Sequence, residues 1–500
     1  MRRDVCVTLM LVIPFMLPRV LASPYGIVVA LVFTLFTLGN GVHFLLYRSP
    51  LDWHVLASMK ETHLNEIWEF IRQYIGADVV AYVLAVLVVI GFLLRFALRN
   101  PKRDTRVCLC LAVAIALGIG PAFLSRPFTQ TLQRNAMCSF LFSLEEYRKE
   151  AAAFASMRFA SDIPSGIRCS APDDQLIVIV IGESSSRHHY GLYGYSRETT
   201  PRLGQRTGQL LSFTDVISPH CHTVSALYKI LTFANFDGDV PGSSVIDLFN
   251  RAGYRTFLLS NQPFLGEHET RTSTLFASCD RTFYTTGSGT GYYRSAHLDE
   301  SLLPELDRVL RKEHGKSVVF LHLMGSHSRY SRRFPQDFKR FKDDPPYCIQ
   351  HADVINDYDN SILYTDFILD SIIQKIESLD RPSAMLYFSD HSDAVYEDCQ
   401  TAGHSESARS RFMFEIPLLL YLSPQYKKAH ADLAQRVSSY TDRPWQTDDL
   451  IYSMLSLSGI TFDGFKTHKD ILSPDFIPEK RFLAGEDYDQ LRTRASAFPQ

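Results

Sequence analysis

The sequence lacks a charge bias of either sign, a cysteine pattern typical of zinc ligands, and any internal repeat. Its 51 lysine and arginine residues nearly balance its 54 aspartate and glutamate residues, which leaves a formal net charge of −3. Proteins that bind nucleic acid usually carry a clear excess of basic residues, so we expect no nucleic-acid partner. The nine cysteines match no zinc motif, and no low-complexity tract is evident.

Long apolar stretches are present, but only in the first 125 residues or so. They lie near Val5–Ala22, Ile27–Tyr47, Ala77–Leu98 and Val107–Leu124. Each is close to the ~20 residues that a membrane-spanning helix needs. Successive runs without a single small-residue cleavage site are not typical of a removed signal peptide. We therefore predict a multi-helix transmembrane domain over residues 1–125.

The charged loops predict the orientation of this domain. Residues 95–106 are rich in arginine and lysine, which places this loop in the cytoplasm by the positive-inside rule. The chain after residue 125 then lies outside the cytoplasm, which in a Gram-negative bacterium is the periplasm. The segment near 51–75 is expected to be an amphipathic helix on the outer membrane surface. This orientation also places the amino terminus outside, whereas Met1-Arg2-Arg3 is typical of a cytoplasmic start. The side of the membrane on which the amino terminus lies therefore stays open.

Residues 126–173 are predicted to be a linker, and residues 174–500 a catalytic domain. Six cysteines lie beyond the membrane segments, which allows up to three disulfides in an oxidising compartment. Alternating strands and helices in the catalytic domain favour an α/β fold with a doubly wound sheet. The predicted strands are Leu176–Ile181, Arg255–Leu259, Val318–Leu323, Ala384–Phe388 and Pro417–Leu422. The predicted helices are Ser244–Ala252, Glu300–Lys312, Asp357–Leu379 and Thr447–Leu457.

Two of these strands end in residues that are common metal ligands. The first leads to Glu183, and the fourth leads to Asp390 and His391. Buried parallel strands deliver such groups to the carboxyl edge of a sheet, where α/β folds place their chemistry. A Glu at this place is costly to bury without a cation or a partner. The alternative for Glu183 is a carboxylate at a helix amino terminus.

Two more histidines favour a cluster of mixed oxygen and nitrogen ligands, as zinc prefers. His327 follows the third strand, and His404 lies beyond the fourth. His322 falls inside the third strand and is better explained as a core histidine.

Thr223 is one candidate nucleophile, because it comes directly before a helical apolar pattern, although without further context a plain N-cap is the favoured interpretation of a threonine at this place. A hydroxyl at a helix amino terminus is well placed to attack a phosphoryl group held by the helix end. Ser184, Ser185, Cys221 and Ser225 are rival nucleophiles.

Seven segments follow one another in a distinctive order along the chain. They are Ile181-Gly-Glu-Ser184, Tyr190-Gly-Leu-Tyr-Gly-Tyr-Ser-Arg-Glu-Thr-Thr-Pro201, Ser218-Pro-His-Cys-His-Thr223, Leu259-Ser-Asn-Gln262, His322-Leu-Met-Gly-Ser-His327, Asn356-Asp-Tyr-Asp-Asn360 and Phe388-Ser-Asp-His391. Together they resemble the membrane phosphoethanolamine transferases of the alkaline phosphatase/sulfatase-like superfamily, which include lipid A-modifying and polymyxin-resistance enzymes. The resemblance covers nearly the whole chain and implies a periplasmic α/β/α sandwich on membrane helices.

The resemblance also implies roles for individual residues. A zinc ion would be held by the residues that match the family's ligands, with a second zinc allowed during turnover. His327 and His404 would contact the phosphate and take part in catalysis, and Asn261 would contact the headgroup. The implied zinc ligands are Glu183, Thr223, Asp390 and His391.

The implied reaction transfers phosphoethanolamine from phosphatidylethanolamine to a lipopolysaccharide or other surface glycan, through a threonine-linked intermediate and with release of diacylglycerol. Cys221 lies two residues before Thr223 without a second cysteine close behind, unlike the lipid A branch, and this favours core-sugar or other glycan acceptors. We expect a monomer.

Alternative functions remain at this stage. A membrane-anchored, metal-dependent phosphodiesterase or sulfatase-type hydrolase would use the same residues, as would a glycerol-phosphate transferase. A sulfatase usually has a modifiable Cys or Ser in a Cys/Ser-x-Pro-x-Arg context, which Cys221–Ser225 lacks. A membrane-anchored glycan-binding protein would need no zinc.

Overall fold

The computed structural model describes residues 34–35, 38–48, 71–72, 74–99, 148, 163–236, 244–262, 274–285 and 297–496. The chain divides into two compact units, Met1–Ala151 and Ala152–Gln500. This division falls inside the segment predicted to be a linker. The domain bounds inferred from the sequence themselves stay predictions.

In the first unit, helix α1 spans Ala77–Arg99 and matches the third predicted apolar run. Residues 38–47 are also helical, within the second run. The first and fourth runs and most of the predicted amphipathic segment 51–75 lie outside the described residues. Within the part of the chain that the structure describes, no helix combines the length and apolarity that crossing a membrane requires.

The second unit is built on a seven-stranded sheet with the order β3-β11-β8-β2-β7-β5-β6. Neighbours are parallel except at β11, which runs antiparallel to both β8 and β3. The other strands form two-stranded pairs. The described strands are β1 Arg168–Cys169, β2 Leu176–Gly182, β3 Leu210–Phe213, β4 Val216–Ile217, β5 Arg255–Ser260, β6 Arg281–Tyr284, β7 Ser317–His322, β8 Ser383–Ser389, β9 Ala394–Val395, β10 Ala402–Gly403, β11 Leu418–Leu422, β12 Trp445–Gln446, β13 Ile460–Thr461, β14 Phe482–Leu483 and β15 Glu486–Asp487.

Helices in this unit follow the apolar patterns of the sequence. All four helices that the sequence predicts are present, with the second and fourth preceded by a short 3₁₀ turn. The α-helices are α2 Pro201–Gly204, α3 Thr223–Leu231, α4 Val245–Arg251, α5 Leu303–Lys312, α6 Ala352–Glu377, α7 Pro424–Ala429, α8 Ala431–Arg436, α9 Leu450–Leu457 and α10 Tyr488–Ser496.

The sheet is covered on both faces, as its sequence pattern predicts. Alternate side chains of β2 enter separate cores, because successive residues of a strand point to opposite faces. Ile177 and Ile179 pack into the core that contains α3, α4 and α9. Val178 and Val180 pack into the core that contains α6. The unit is therefore an α/β/α sandwich, with parallel β2, β7 and β8 ending at one edge.

The loops after these strands wrap tightly around the first candidate ligand. Gly325, in the loop after β7, has a φ of +50°, and a Cβ there would lie 2.8 Å from the backbone nitrogen and oxygen of Glu183. Only glycine fits such an approach. Ser326 donates its backbone N–H to the Glu183 carbonyl at 2.9 Å. The loop after β7 therefore fixes the backbone of Glu183.

One disulfide joins Cys348 to Cys399, at the tip of the β9–β10 hairpin. Cys169, Cys221 and Cys279 stand as thiols. Cys138 lies outside the described residues. The sequence allowed this bridge among its possible pairings but did not identify it.

Candidate metal centre

The ends of β2 and β8 bring three predicted ligands together. Glu183 follows β2, and Asp390 with His391 follows β8; all three are at most 1% exposed. His391 Nε2 lies 3.2 Å from Glu183 Oε1 and 3.7 Å from Asp390 Oδ2. One ligand atom from each residue falls within 4.8 Å of the others. This spacing suits a single cation bound by two carboxylates and an imidazole.

The two oxygens of Asp390 have different surroundings. Oδ1 accepts the backbone N–H groups of His391 at 2.7 Å and Ser184 at 3.3 Å. Oδ2 is buried next to His391 Nε2 and makes no hydrogen bond of normal geometry among the described residues, although the Thr223 hydroxyl lies near enough to oppose the rise in the pKa of Asp390. A buried carboxylate oxygen without a donor is costly unless a cation binds it. The surroundings of Asp390 Oδ2 therefore favour a metal ion bound by this cluster.

Ionisation within the cluster is strongly perturbed. Burial favours the neutral form of Glu183, but the hydrogen bond and charge of His391 outweigh it and lower the pKa of Glu183. Burial and the nearby charge of Glu183 raise the pKa of Asp390. Burial opposes the imidazolium, yet the charges of Asp390 and Glu183 raise the pKa of His391. The two carboxylates thus compete for the one imidazolium charge of His391, and a bound divalent cation would let both carboxylates ionise.

Thr223 is the first residue of α3 and lies against this cluster. Its hydroxyl donates to Glu183 Oε2 at 3.1 Å and lies 3.4 Å from His391 Nε2. The N-cap of α3 is His222, so the alternative of Thr223 as a plain N-cap does not describe this helix. The backbone N–H groups of the first turn have no intrahelical partners and can bind an anion. Thr223 Oγ thus lies beside the candidate metal ligands and at a helix amino terminus, where an anion could bind.

The rival hydroxyls are placed differently. Ser184 donates its hydroxyl to Glu183 Oε1 at 2.8 Å, but it is buried and has a φ of +54°. Ser185 is buried, and its hydroxyl is hydrogen-bonded to the Tyr190 hydroxyl at 2.8 Å. Ser184–Ser186 does not begin an α-helix, since a 3₁₀ turn starts only at Arg187. The alternative of Glu183 as a helix-terminal carboxylate therefore does not hold.

His404 lies beside the cluster, on the segment that follows β10. Its ring contacts the rings of His391 and His222, with centroids 4.4 and 4.9 Å apart. Its Nδ1 is 2.6 Å from Asp393 Oδ1, and Tyr330 donates to the other oxygen of Asp393 at 2.7 Å. His391, Asp393 and His404 form a second group with metal-ligand spacing. Sequence reasoning missed Asp393, although its position two residues after His391 was a usable signal.

The remaining predicted residues lie at the margin. His327 is half-buried in the loop after β7, and its charge lowers the pKa of Glu183. Asn261 is buried and donates its amide to Asp299 Oδ1 at 2.7 Å. A headgroup contact by Asn261 stays a prediction. The neighbouring Gln262 belongs to the segment Leu259–Gln262 but was given no role from the sequence, and its amide nitrogen lies 3.4 Å from Glu183 Oε2.

Comparison with known proteins gives the same fold. The profile of the sulfatase family matches residues 175–460, more than half of the chain. The curated phosphoethanolamine transferase EptC of Escherichia coli strain RS218 is 28% identical over 488 residues, which cover 90% of this chain and 83% of that protein.

Two solved structures are similar over different parts of the chain. The C-terminal periplasmic domain of EptC from Escherichia coli, in complex with zinc, has a TM-score of 0.60 and 28% identity, covering 65% of this chain and 94% of that one. The integral membrane lipooligosaccharide phosphoethanolamine transferase A of Neisseria meningitidis has a TM-score of 0.66 at 21% identity, covering 92% of this chain and 88% of that one. The latter likeness concerns the fold alone.

Proposed function

This chain belongs to the sulfatase family, and from that premise we infer that it is an enzyme that transfers phosphoethanolamine from phosphatidylethanolamine to a surface acceptor. The observation that carries this proposal is the contact of the Thr223 hydroxyl with Glu183 and His391 in a buried ligand cluster. A ligand set next to a hydroxyl at a helix amino terminus is what phosphoryl transfer through a covalent intermediate needs.

Thr223 acts as the nucleophile. Its Oγ attacks the phosphorus of the donor, and the bond from phosphorus to the diacylglycerol oxygen breaks. The first-turn N–H groups of α3 stabilise the negative charge on the phosphoryl oxygens. Phosphoethanolamine is then attached to Thr223, and diacylglycerol leaves as an alcohol. The acceptor hydroxyl attacks the same phosphorus in the second half-reaction and releases Thr223.

His404 moves the proton in both half-reactions. The 2.6 Å contact of its Nδ1 with Asp393 directs Nδ1–H to that carboxylate. Nε2 is then the atom left to give a proton to the departing diacylglycerol oxygen and to take one from the acceptor hydroxyl. His327 and Asn261 are proposed to contact the phosphate and the headgroup.

The ligand set fits zinc, and Glu183, Thr223, Asp390 and His391 would hold it. When bound, zinc would supply positive charge that favours the deprotonated Thr223 hydroxyl and neutralises the phosphoryl oxygens. The second group, which adds Asp393 and His404, is compatible with another zinc ion during turnover.

The cellular setting is part of the proposal. A multi-pass inner-membrane anchor would keep the catalytic unit in the periplasm, next to the head groups of the donor lipid. Lipopolysaccharide or another surface glycan is the proposed acceptor, with core sugars favoured by the cysteine pattern before Thr223. The enzyme is proposed to act as a monomer.

Intact mass measurement tests the reaction directly. We expect the zinc-loaded protein, incubated with phosphatidylethanolamine and no acceptor, to gain about 123 Da, the formula mass of phosphoethanolamine less water, as a covalent intermediate requires. Peptide mapping should place this mass on Thr223, and diacylglycerol should appear in equal amount. Release of diacylglycerol and free phosphoethanolamine without turnover to an added acceptor would indicate a hydrolase. The absence of both adduct and diacylglycerol would contradict the proposed donor.

Removal of the metal should lower the thermal stability of the protein. A ligand that binds only the folded state at a hundred times its Kd stabilises that state by about 2.7 kcal/mol. We therefore expect dialysis against a chelator to lower the unfolding midpoint by a few degrees, and added zinc to restore it. Glu183→Gln is the matched control, because it keeps the side-chain shape and should lose most of the zinc-dependent shift. Equal midpoints for the zinc-loaded and metal-free wild-type protein would argue against this centre.

A further inference from the structure

The segment that presents His404 to the site also contacts the chain that leads to Thr223. This segment begins directly after β10 and continues into a 3₁₀ turn over Glu406–Ala408. Glu406 is 7% exposed, so its carboxylate is largely removed from water. A carboxylate buried this deeply needs polar partners.

Both oxygens of Glu406 contact the residues just before the nucleophile. Oε2 accepts the backbone N–H of Cys221 at 3.1 Å. Oε1 lies 3.1 Å from His220 Nδ1. The Glu406 side chain therefore holds the main chain at Cys221, two residues before Thr223, and the imidazole ring of His220.

The loop that leads to α3 is also held at its beginning. Ser218 donates its backbone N–H to the Phe414 carbonyl at 2.8 Å, and Gln446 donates to the Ser218 carbonyl at 3.1 Å. These contacts hold the start of the loop, while Glu406 holds its end at the helix. The position of Thr223 Oγ relative to Glu183 and His391 depends on where that end lies.

We propose that Glu406 is a positioning residue that keeps the Thr223 nucleophile in register with His404. His404 and Glu406 lie two residues apart and serve different parts of the reaction centre. His404 contacts the rings of His391 and His222. Glu406 anchors the loop before Thr223. This inference rests on the proposed function, because it takes Thr223 as the nucleophile and His404 as the proton donor.

Glu406 acts on the chemical step through geometry. A displacement of about 1 Å in a reacting group can lower a rate by about a hundredfold. Glu406→Ala removes both contacts and is expected to slow adduct formation on Thr223 by roughly ten- to a hundredfold at saturating phosphatidylethanolamine. The donor concentration for half-maximal rate and the zinc content are expected to stay at the wild-type level. Glu406→Gln keeps an oxygen for the Cys221 N–H and should stay within about threefold of the wild-type rate.

The test is a quenched single-turnover time course of adduct mass on the full-length, zinc-loaded protein, with zinc content and unfolding midpoint measured on the same samples. The matched control is Glu313→Ala, because Glu313 is similarly buried and pairs with Arg281 and Arg255 at the opposite end of the sheet strands. This control should form the adduct at the wild-type rate whatever its unfolding midpoint.

Two results would overturn the positioning role. One is adduct formation by Glu406→Ala at the wild-type rate; the other is a rate that falls only in proportion to lost zinc. If the alanine variant does not fold, Glu406→Asp decides, because it keeps the charge but shortens the reach: slower adduct formation supports the role, and a wild-type rate overturns it. If the wild-type protein forms no adduct, the proposed function fails and this inference fails with it. If the wild-type protein forms the adduct and the Glu406 variants form it at the same rate, the proposed function stands and only the positioning role of Glu406 is overturned.

Discussion

Thr223→Ala is expected to abolish the phosphoethanolamine adduct and to lower the rate of transfer by at least about a thousandfold, because removing a covalent nucleophile leaves no alternative first step. Thr223 is the hydroxyl that contacts both Glu183 and His391 while standing at the amino terminus of α3. Transfer is measured as labelled phosphoethanolamine moved from donor lipid to an isolated lipopolysaccharide fraction. Thr223→Ser keeps the hydroxyl and should retain measurable transfer.

The matched control for this prediction lies on the same helix. Ser225, a rival nucleophile from the sequence, is buried two residues further along α3. Ser225→Ala should keep transfer within about threefold of wild type and should still form the adduct, since removal of a hydroxyl outside the reacting groups changes binding and chemistry little. Full activity of Thr223→Ala together with loss of activity in Ser225→Ala would show that Ser225 is the nucleophile and would contradict the assignment to Thr223. Zinc content of each variant separates loss of the nucleophile from loss of the metal.

Much of the fold could be predicted because its central strands have an unmixed apolar pattern. β2 and β8 are buried on both faces, and only continuous apolar runs satisfy such positions. The polar residue that ends each run then marks the edge of the sheet. For the same reason, the positions of Glu183, Asp390 and His391 could be predicted without coordinates. The antiparallel direction of β11 could not, since its run Leu418–Leu422 is equally apolar in either direction.

The parts of the site that the sequence did not reveal depend on contacts between distant loops. Asp393 and Glu406 lie in polar segments where an acidic residue is usually exposed. Asp393 is buried at the start of the β9–β10 hairpin, where it contacts His404 just after the hairpin's end, and Glu406 is buried against His220 and Cys221. The Cys348–Cys399 pairing likewise depends on a fold that brings a long loop to that hairpin. Apart from the two-residue spacing of Asp393 from His391, local patterns contain no information about such approaches.

A second large effect is expected at His189, which lies in a buried polar network and directly precedes the segment Tyr190–Pro201. Its Nδ1 is 2.6 Å from Asp359 Oδ1, and its Nε2 is 2.8 Å from the Tyr347 hydroxyl and 3.5 Å from Glu397 Oε1. Arg197 also binds Asp359, at 2.7 Å. The rings of Tyr195 and Tyr358 lie against the imidazole. The ring of His189 therefore lies between the carboxylates of Asp359 and Glu397. Asp359 is also paired with Arg197.

These contacts determine how stability depends on pH. Burial lowers the pKa of His189, but the charge and hydrogen bond of Asp359 and the contact with Glu397 outweigh it and raise the pKa from 6.5 to about 9. A folded-state pKa above the unfolded value contributes stability that is fully present below pH 6.5 and is lost as the pH rises through 9. A shift of this size corresponds to about 3 kcal/mol. The wild-type protein should therefore lose stability between pH 6.5 and 9.

His189→Gln is expected to lower the free energy of unfolding by about 3 kcal/mol near pH 6.5, because it removes the imidazolium from between the buried carboxylates of Asp359 and Glu397 and leaves Arg197 as the cationic partner of Asp359. The unfolding midpoint of the full-length protein in detergent, followed by tryptophan fluorescence across this pH range, measures the effect. The pH-dependent difference between wild type and variant should shrink as the pH rises towards 9, where the wild-type imidazolium loses its proton. His314→Gln, at an exposed histidine of the same unit, should keep the wild-type slope.

The shape of this dependence distinguishes a charge effect from simple loss of packing. A variant that only lost packing would be destabilised by the same amount at every pH, because van der Waals contacts do not titrate. Taking the difference between the variant and the wild-type protein also removes the titration of the metal cluster, which both proteins share. A constant difference across the range would contradict a charged His189 and would leave the tyrosine and arginine contacts to account for the stability of this network.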